Sequence, residues 1–219
     1  MRLYSTYKAY ISRTNKVILN CIAGGLAALS ILLAKDESVI LVSYAVFTML
    51  YVAVAGIMDF FQFGGVLSKK GNIPESILCA FKGKELLTKA VISDRLAHLI
   101  RLLVIVLPTI ALSGNYTAGR ILLGLASWLG AFLALTIMQL VTRVMCVTFQ
   151  VSMLIAYLIM IPLACLLIIP SVAFMFSEGD LTFFMAAVTA VFLLLSVVFS
   201  IIHAVLAGST YAYKLADIH

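Results

Sequence analysis

Six long apolar blocks alternate with short polar stretches along the 219-residue chain. Each block has about 18 residues or more, the length that an α-helix needs to cross the hydrocarbon of a bilayer. The blocks lack the alternation of apolar and polar residues that a membrane β-strand requires, so helices are the expected form. The predicted membrane-spanning segments are residues 17–34, 39–64, 96–113, 121–142, 150–176 and 181–207.

The segment before the first block, residues 1–16, has the pattern of an amphipathic helix. Basic and small polar residues occupy most of the helix, and one face carries Leu3, Tyr4, Tyr7, Tyr10 and Ile11. Tyrosine suits the headgroup level of a membrane, so we predict a helix that lies in the interface. Its basic face would meet anionic lipid or an acidic partner; the alternative is a plain anchor without a specific partner.

The longest polar stretch, residues 65–95, connects the second and third predicted spans. Pro74 followed by Glu75 is typical of a helix start. Gly83 interrupts that short helix, because glycine costs roughly 1 kcal/mol in a helix interior relative to alanine. A second helix is predicted from near Glu85 into the third span. The expected organisation is therefore all-α: the interfacial helix 1–16, then one transmembrane domain, 17–219, that includes this loop.

Composition and charge agree with a multi-pass membrane protein. Hydrophobic residues make up 64% of the chain and charged residues only 11%. Basic residues resist translocation, and of the 15 Lys and Arg residues only Lys35 and Arg120 fall outside the side that holds both termini. We therefore expect a cell-membrane protein with cytoplasmic termini. Its net charge of +6 reflects this topology and attraction to lipid, and we expect no nucleic-acid partner.

Sequence motifs for catalysis or cofactor binding are missing. The chain has no GxxxxGK[ST] phosphate loop, no HExxH or CxxC ligand pair and no GxSxG nucleophile elbow. His98 and His203 fall near span ends, where a packed or snorkelling histidine is expected. The widely spaced cysteines favour small buried apolar residues over metal ligands. We expect no enzymatic activity, no cofactor and no metal, so any use of ATP requires a separate subunit.

Asp59 is the one acidic residue inside a predicted span, and a charge in hydrocarbon is costly enough to suggest a function. Its place near the end of the span leaves three interpretations open: a role in transport, a structural ion pair with Lys69, Lys70 or Arg101, or solvation at the interface. Other polar residues occur near the same ends. The candidate intramembrane polar site consists of Asp59, Arg101, Gln139 and Arg143.

The layout of the chain and the stretch ESILCAFKGKELLTKAVISD, residues 75–94, resemble the membrane subunit of an ABC-2 type ABC transporter. In both, a short helix ends at a small basic turn, and an acidic residue and aliphatic residues then lead through a lysine into the third span. This family often has a proline just before the basic turn, where this chain has Ala80 and Phe81. The resemblance implies a permease that pairs with a second permease copy, identical or different, and with two ATPase subunits.

The resemblance further implies that the short helix is a coupling helix that docks in a groove of the ATPase. Its apolar ridge would enter the groove and its charged residues would meet the rim of the groove. The implied docking residues are Ile77, Leu78, Phe81, Lys82, Lys84, Glu85 and Lys89. The alternative is that the ridge lies flat on the membrane with its lysines among the headgroups.

Three functions remain open at this stage. The first is an exporter permease whose cargo is a peptide, a lipid-like molecule or a hydrophobic small molecule. The second is a membrane scaffold or immunity-type protein that transports nothing. The third is an ion-coupled carrier that uses Asp59.

Overall fold

A computed structural model describes five stretches of the chain and five single positions. The described residues are 11–33, 37–59, 83–112, 118–142 and 182–216, with 154, 158, 161, 162 and 165. All five stretches are helical. The helices are α1 (Arg13–Leu33), α2 (Glu37–Asp59), α3 (Gly83–Leu112), α4 (Ala118–Leu140) and α5 (Thr182–Ala216).

Several polar residues of these helices find hydrogen-bond partners within their own helix. At the start of α1, Ser12 Oγ accepts a hydrogen bond from the Asn15 backbone N–H at 3.2 Å, which is an N-cap contact. Inside the apolar helices, hydroxyl groups donate to carbonyl oxygens one turn earlier, as Ser30 does to Leu26 (2.9 Å) and Thr136 to Phe132 (2.7 Å). These residues therefore enter the apolar interior without leaving a donor unpaired.

Helix α3 is the centre of the packing among the described helices, since it contacts each of the other four. Helices α4 and α5 make the most extensive pairing. Helix α4 is buried along most of its length, whereas α5 exposes large apolar side chains such as Phe183 and Leu194 on its outer face. The core between the helices is built from Tyr44, Leu102 and Leu135, among other apolar residues.

The prediction of six spans was wrong, although the all-α class was correct. Of the five described helices, three are long and apolar enough to cross a membrane: α1, α4 and residues Thr182–Leu206 of α5. A further apolar stretch of the described residues, Ser43–Asp59, lies in α2. The first half of α3 carries charged residues that hydrocarbon does not accept readily, including Asp94 and Arg95. Within the described part of the chain, three of the six predicted spans therefore have a matching membrane-length helix.

Several predicted segments lie outside the described residues. These are most of the interfacial helix 1–16, the coupling helix 74–81 and, apart from the single positions, the predicted fifth span 150–176. Helix α1 begins at Arg13, inside the segment assigned to the interfacial helix. Helix α3 begins at Gly83 and runs without a break to Leu112.

Candidate functional site

Helix α3 presents a row of polar side chains to the interior of the bundle. Asp94, His98 and Arg101 are separated by four and three residues, so they lie on one face of the helix. All three are buried, with exposed fractions of 1%, 2% and 7%. A row of ionisable groups at these depths requires partners from the neighbouring helices.

His98 receives partners from two other helices and from its own. Its Nδ1 lies 2.8 Å from the hydroxyl of Tyr51 on α2, and the two rings meet edge to face with centroids 6.0 Å apart. Its Nε2 lies 3.3 Å from Gln139 Nε2 on α4 and 3.5 Å from Asp94 Oδ1. The imidazole therefore joins α2, α3 and α4.

Gln139 completes the connection between α4 and α2. Its Nε2 donates a hydrogen bond to Asp59 Oδ1 at 3.2 Å, and both side chains are buried. Its Oε1 is also buried and accepts no hydrogen bond within the described part of the chain. We refer to Tyr51, Asp59, Asp94, His98 and Gln139 as the polar network.

A glycine permits the approach of α2 and α4 beside this network. Gly56 lies one turn before Asp59, and a Cβ atom at this position would collide with the end of the Met138 side chain. Met138 directly precedes Gln139. The missing side chain therefore lets the two helices come close where the amide of Gln139 must reach the carboxylate of Asp59.

A small cavity adjoins the polar network on the side of α1. Asn15, Asp59, Asp94 and His98 supply its polar wall, and apolar residues supply the remainder. Its volume is about 10 Å³, which is close to the smallest space that holds one water molecule. A cavity of this size has room for a water-sized particle and not for a cargo molecule.

Two further polar contacts tie α3 to the remaining helices. Arg95 Nη2 donates to Nδ1 of His203 on α5, and both side chains are buried. Arg101 Nε donates to Asn20 Oδ1 on α1 at 2.8 Å. Together with the contacts of His98, these bonds connect α3 by polar side chains to all four other described helices. A polar bond that crosses between buried helices is costly to break without a replacement partner.

An apolar groove of about 550 Å³ lies between α3, α4 and α5. Three hydroxyl-bearing residues line it. The hydroxyls of Thr189 and Ser196 donate to backbone carbonyls, and the buried Ser200 Oγ makes no hydrogen bond within the described residues. The rest of the lining is apolar apart from the indole nitrogen of Trp128, which donates to the Leu99 carbonyl. Its lining includes Leu99, Trp128, Phe132, Leu193, Val197 and Ile201.

The structure brings together part of the predicted intramembrane site. Asp59 and Gln139 are hydrogen-bonded to each other, although the sequence had suggested Lys69, Lys70 or Arg101 as the partner of Asp59. Arg101 lies on the same face of α3 as His98 and is bonded to α1. Arg143, Lys69 and Lys70 lie outside the described residues.

The structure describes the side chains of only two of the predicted docking residues. Glu85 and Lys89 form an ion pair one turn apart on α3, with side chains 53% and 39% exposed. Lys84 is within α3, but its side chain is not described. The remaining four lie outside the described residues: Ile77, Leu78, Phe81 and Lys82.

Of the buried polar residues that α3 contributes, sequence reasoning included only Arg101 in the candidate site. It assigned Asp94 and Arg95 to the cytoplasmic loop, and it assigned His98 and His203 to packed or snorkelling positions. The signal was the spacing of Asp94, His98 and Arg101, which places three ionisable residues on one helical face. That face lies opposite the exposed Leu96 and Ile100.

Within the described ranges, no group of three His, Cys, Asp or Glu side chains is arranged to hold a metal ion. Comparison with protein-family models, with curated proteins and with solved structures finds no match to this chain.

Proposed function

We propose that the chain is the membrane subunit of an ABC-2 type exporter and is driven by ATP that a separate ATPase hydrolyses. In this proposal it resides in the cell membrane with both termini in the cytoplasm, and it assembles with a second permease copy and two ATPase subunits. The observation that supports the proposal most is the construction of α3. This helix starts with exposed residues next to the predicted docking stretch, and it is bonded to all four other described helices.

The geometry of α3 suits the transmission of a movement. The helix has 30 residues, which corresponds to a length of about 45 Å. Its first two turns carry the exposed Glu85–Lys89 pair, and its middle carries the contacts of the buried side chains of Arg95, His98 and Arg101. Buried hydrogen bonds resist separation, so a displacement of the exposed start shifts the contacts of α3 with α1, α2, α4 and α5 together.

The docking step rests on the resemblance and on the chemistry of residues 74–81. Ile77, Leu78 and Phe81 give an apolar ridge that fits a groove, and the lysines that follow meet acidic rims. The competing position, with the ridge flat on the membrane, uses the same residues and predicts no loss of an ATPase partner when the ridge is changed.

The apolar groove supports a cargo class of lipid-like molecules, hydrophobic small molecules or apolar peptides. Its volume of about 550 Å³ lies within the range of roughly 300–1,000 Å³ that is typical of small-molecule sites. Its apolar lining gives little attraction to a strongly polar cargo, because a polar group buried there would lose its hydrogen bonds to water.

The experiment is capture of the tagged full-length chain from its native membrane, followed by mass spectrometry of the bound subunits. We expect an ATPase subunit with the wild-type chain and its loss with the double variant Leu78→Asp, Phe81→Asp. Ser76→Asp is the control, because it adds a single negative charge on the opposite face of the predicted helix, and it should retain the ATPase. Equal membrane insertion of all three proteins is verified by accessibility labelling.

Two results contradict the proposal. Retention of the ATPase by the double variant refutes docking through this ridge. Capture of the intact wild-type chain with no ATPase subunit refutes the exporter itself and favours the scaffold or the ion-coupled carrier.

A further inference from the structure

We propose that the apolar groove between α3, α4 and α5 holds one acyl chain of a membrane phospholipid, whose phosphate lies at Lys89 and whose ester carbonyl lies at Ser200. The lipid comes from the leaflet that surrounds the start of α3. This inference goes beyond the proposed exporter function, because the lipid binds to the chain itself, with or without an ATPase subunit.

The groove opens on the outer surface of the bundle. Its floor includes Leu129 and Phe132 of α4, which are buried. Its rim on α5 includes Val197 and Ile201, which lie one turn apart and are 51% and 58% exposed. In a membrane these rim side chains face hydrocarbon, so the molecules that surround the opening are lipids.

The groove is long and narrow. On α5 its lining extends from Thr189 to Ala204, a distance of about 22 Å along the helix axis. A helix of that length, with a diameter of about 10 Å, occupies roughly 1,700 Å³. The groove offers about 550 Å³, about a third of that volume. It is therefore too small to enclose a helix of a partner protein and suits a thinner, chain-like occupant.

The end of the groove at Ala204 lies at the level where charged residues give way to apolar ones. Thr88 Oγ1 donates to the Ala204 carbonyl at 3.4 Å, so the start of α3 lies beside this end. Lys89 is exposed there, one turn before Ile92 of the lining. Beyond Lys89, the exposed residues among those described on α3 are all apolar: Ile92, Leu96, Ile100, Val104, Leu107 and Ala111. Lys89 therefore marks the level of the lipid headgroups.

Lys89 supplies the positive charge that binds a phosphate. Its ammonium group pairs with the Glu85 carboxylate of the same helix at 2.5 Å, and both side chains are exposed. An exposed pair of this kind is weak, and an ammonium group has three N–H donors, so a phosphate can share it. The pair carries one charge of each sign, which matches the phosphate and the ammonium of a zwitterionic headgroup.

Ser200 supplies a hydrogen-bond donor inside the groove, one turn from Ala204. Its Oγ is buried and makes no hydrogen bond within the described residues, whereas the hydroxyls of Thr189 and Ser196 donate to backbone carbonyls. A buried donor without an acceptor is costly, so an occupant that brings an acceptor is favoured. The ester carbonyl of a phospholipid is such an acceptor, and it lies directly below the phosphate.

The rest of the groove fits a single acyl chain. From Ser200 to Thr189 the lining continues for about 16 Å along α5, close to the hydrocarbon thickness of one leaflet, about 15 Å. The charge of Lys89, the hydroxyl of Ser200 and the apolar lining thus follow one another in the order of phosphate, ester and hydrocarbon in a phospholipid.

The test is native mass spectrometry of the full-length chain, released from nanodiscs of phosphatidylethanolamine after a detergent wash that removes loosely bound lipid. We expect one phospholipid per chain. Val197→Trp fills the groove and should abolish retention of the lipid. Val198→Trp is the matched control, because this adjacent valine is 42% exposed but lies outside the lining, and it should retain the lipid.

Two further variants test the polar end of the groove. Ser200→Ala should lower the occupancy at limiting lipid by a factor of about 5, the effect of one lost hydrogen bond. The wild-type chain should prefer phosphatidylethanolamine to diacylglycerol, which has the same two chains and no phosphate. Lys89→Gln should remove this preference, since the phosphate then loses its charged donor.

The proposal is overturned if Val197→Trp retains the lipid as well as Val198→Trp does, or if the folded wild-type chain retains none. Equal retention of phosphatidylethanolamine and diacylglycerol by the wild-type chain refutes the phosphate contact. Leu193→Trp and its neighbour Leu194→Trp, inside and outside the lining, form a second pair in case Val197→Trp does not fold. These measurements need no ATPase, so their failure is distinct from failure of the exporter proposal.

Discussion

Replacement of Gln139 by leucine should weaken the contact between α2, α3 and α4 without opening a large cavity. Leucine has a similar volume, but it removes the hydrogen bond to Asp59 and the contact with His98. A buried acceptor that loses its donor costs about 1–3 kcal/mol. Polar contacts between membrane helices are weaker, about 0.6 kcal/mol on average and up to about 1.7 kcal/mol.

Because the acceptor is a carboxylate, we expect a loss at the upper end of the range for membrane helices, about 1.7 kcal/mol in the free energy of unfolding. Such a loss lowers the folding equilibrium constant by a factor of about 18. The matched control is Thr136→Val, one turn away on α4. Its hydroxyl bonds within its own helix to Phe132, so its removal should cost less than about 0.5 kcal/mol.

The assay is reversible unfolding in mixed micelles, followed by circular dichroism. A double-mutant cycle with Asp59→Leu isolates the interaction between the two side chains, and we expect a coupling energy of about 1 kcal/mol. Equal effects of Gln139→Leu and Thr136→Val, or strict additivity with Asp59→Leu, would refute the role of Gln139 as the connection between the helices.

Two further predictions concern packing and the surface. A Cβ atom on Gly124 would lie 2.9 Å from Ile110 Cδ1, whereas one on Gly24 meets nothing within 4 Å. In thermal unfolding, Gly124→Ala should therefore destabilise the protein by about 1 kcal/mol. Gly24→Ala should stabilise it by up to about 1 kcal/mol. The opposite order of the two stabilities would contradict the helix packing. Glu85→Gln removes an exposed ion pair with Lys89 and should change stability by at most about 0.5 kcal/mol, a difference that disappears in high salt.

The uniformly apolar helices were predicted well from the sequence. The apolar runs at 121–142 and 181–207 correspond closely to α4 and to the span Thr182–Leu206. The burial of the polar face of α3 was harder to predict. When the neighbouring helices are unknown, its ionisable residues resemble those of a solvated loop. The contacts of the buried His98 come from Tyr51 and Gln139, which are distant in sequence.

The candidate site was predicted in outline only. Asp59 was identified because it is an acidic residue within an apolar run. The cost of placing its charge in hydrocarbon follows from the local sequence alone. Its partner depends on how α2 packs against α4, where Gly56 lies against the end of the Met138 side chain. The single sequence carries no direct signal of which helices are neighbours.

ATP hydrolysis by the complex that is captured through this chain tests the central claim most directly. The tagged full-length chain is purified from its native membrane in lipid nanodiscs, and hydrolysis is measured beside the Leu78→Asp, Phe81→Asp double variant. The account predicts hydrolysis that co-elutes with the wild-type chain and falls to the background of a mock purification in the double variant. Intact, folded wild-type chain without hydrolysis above that background would contradict it.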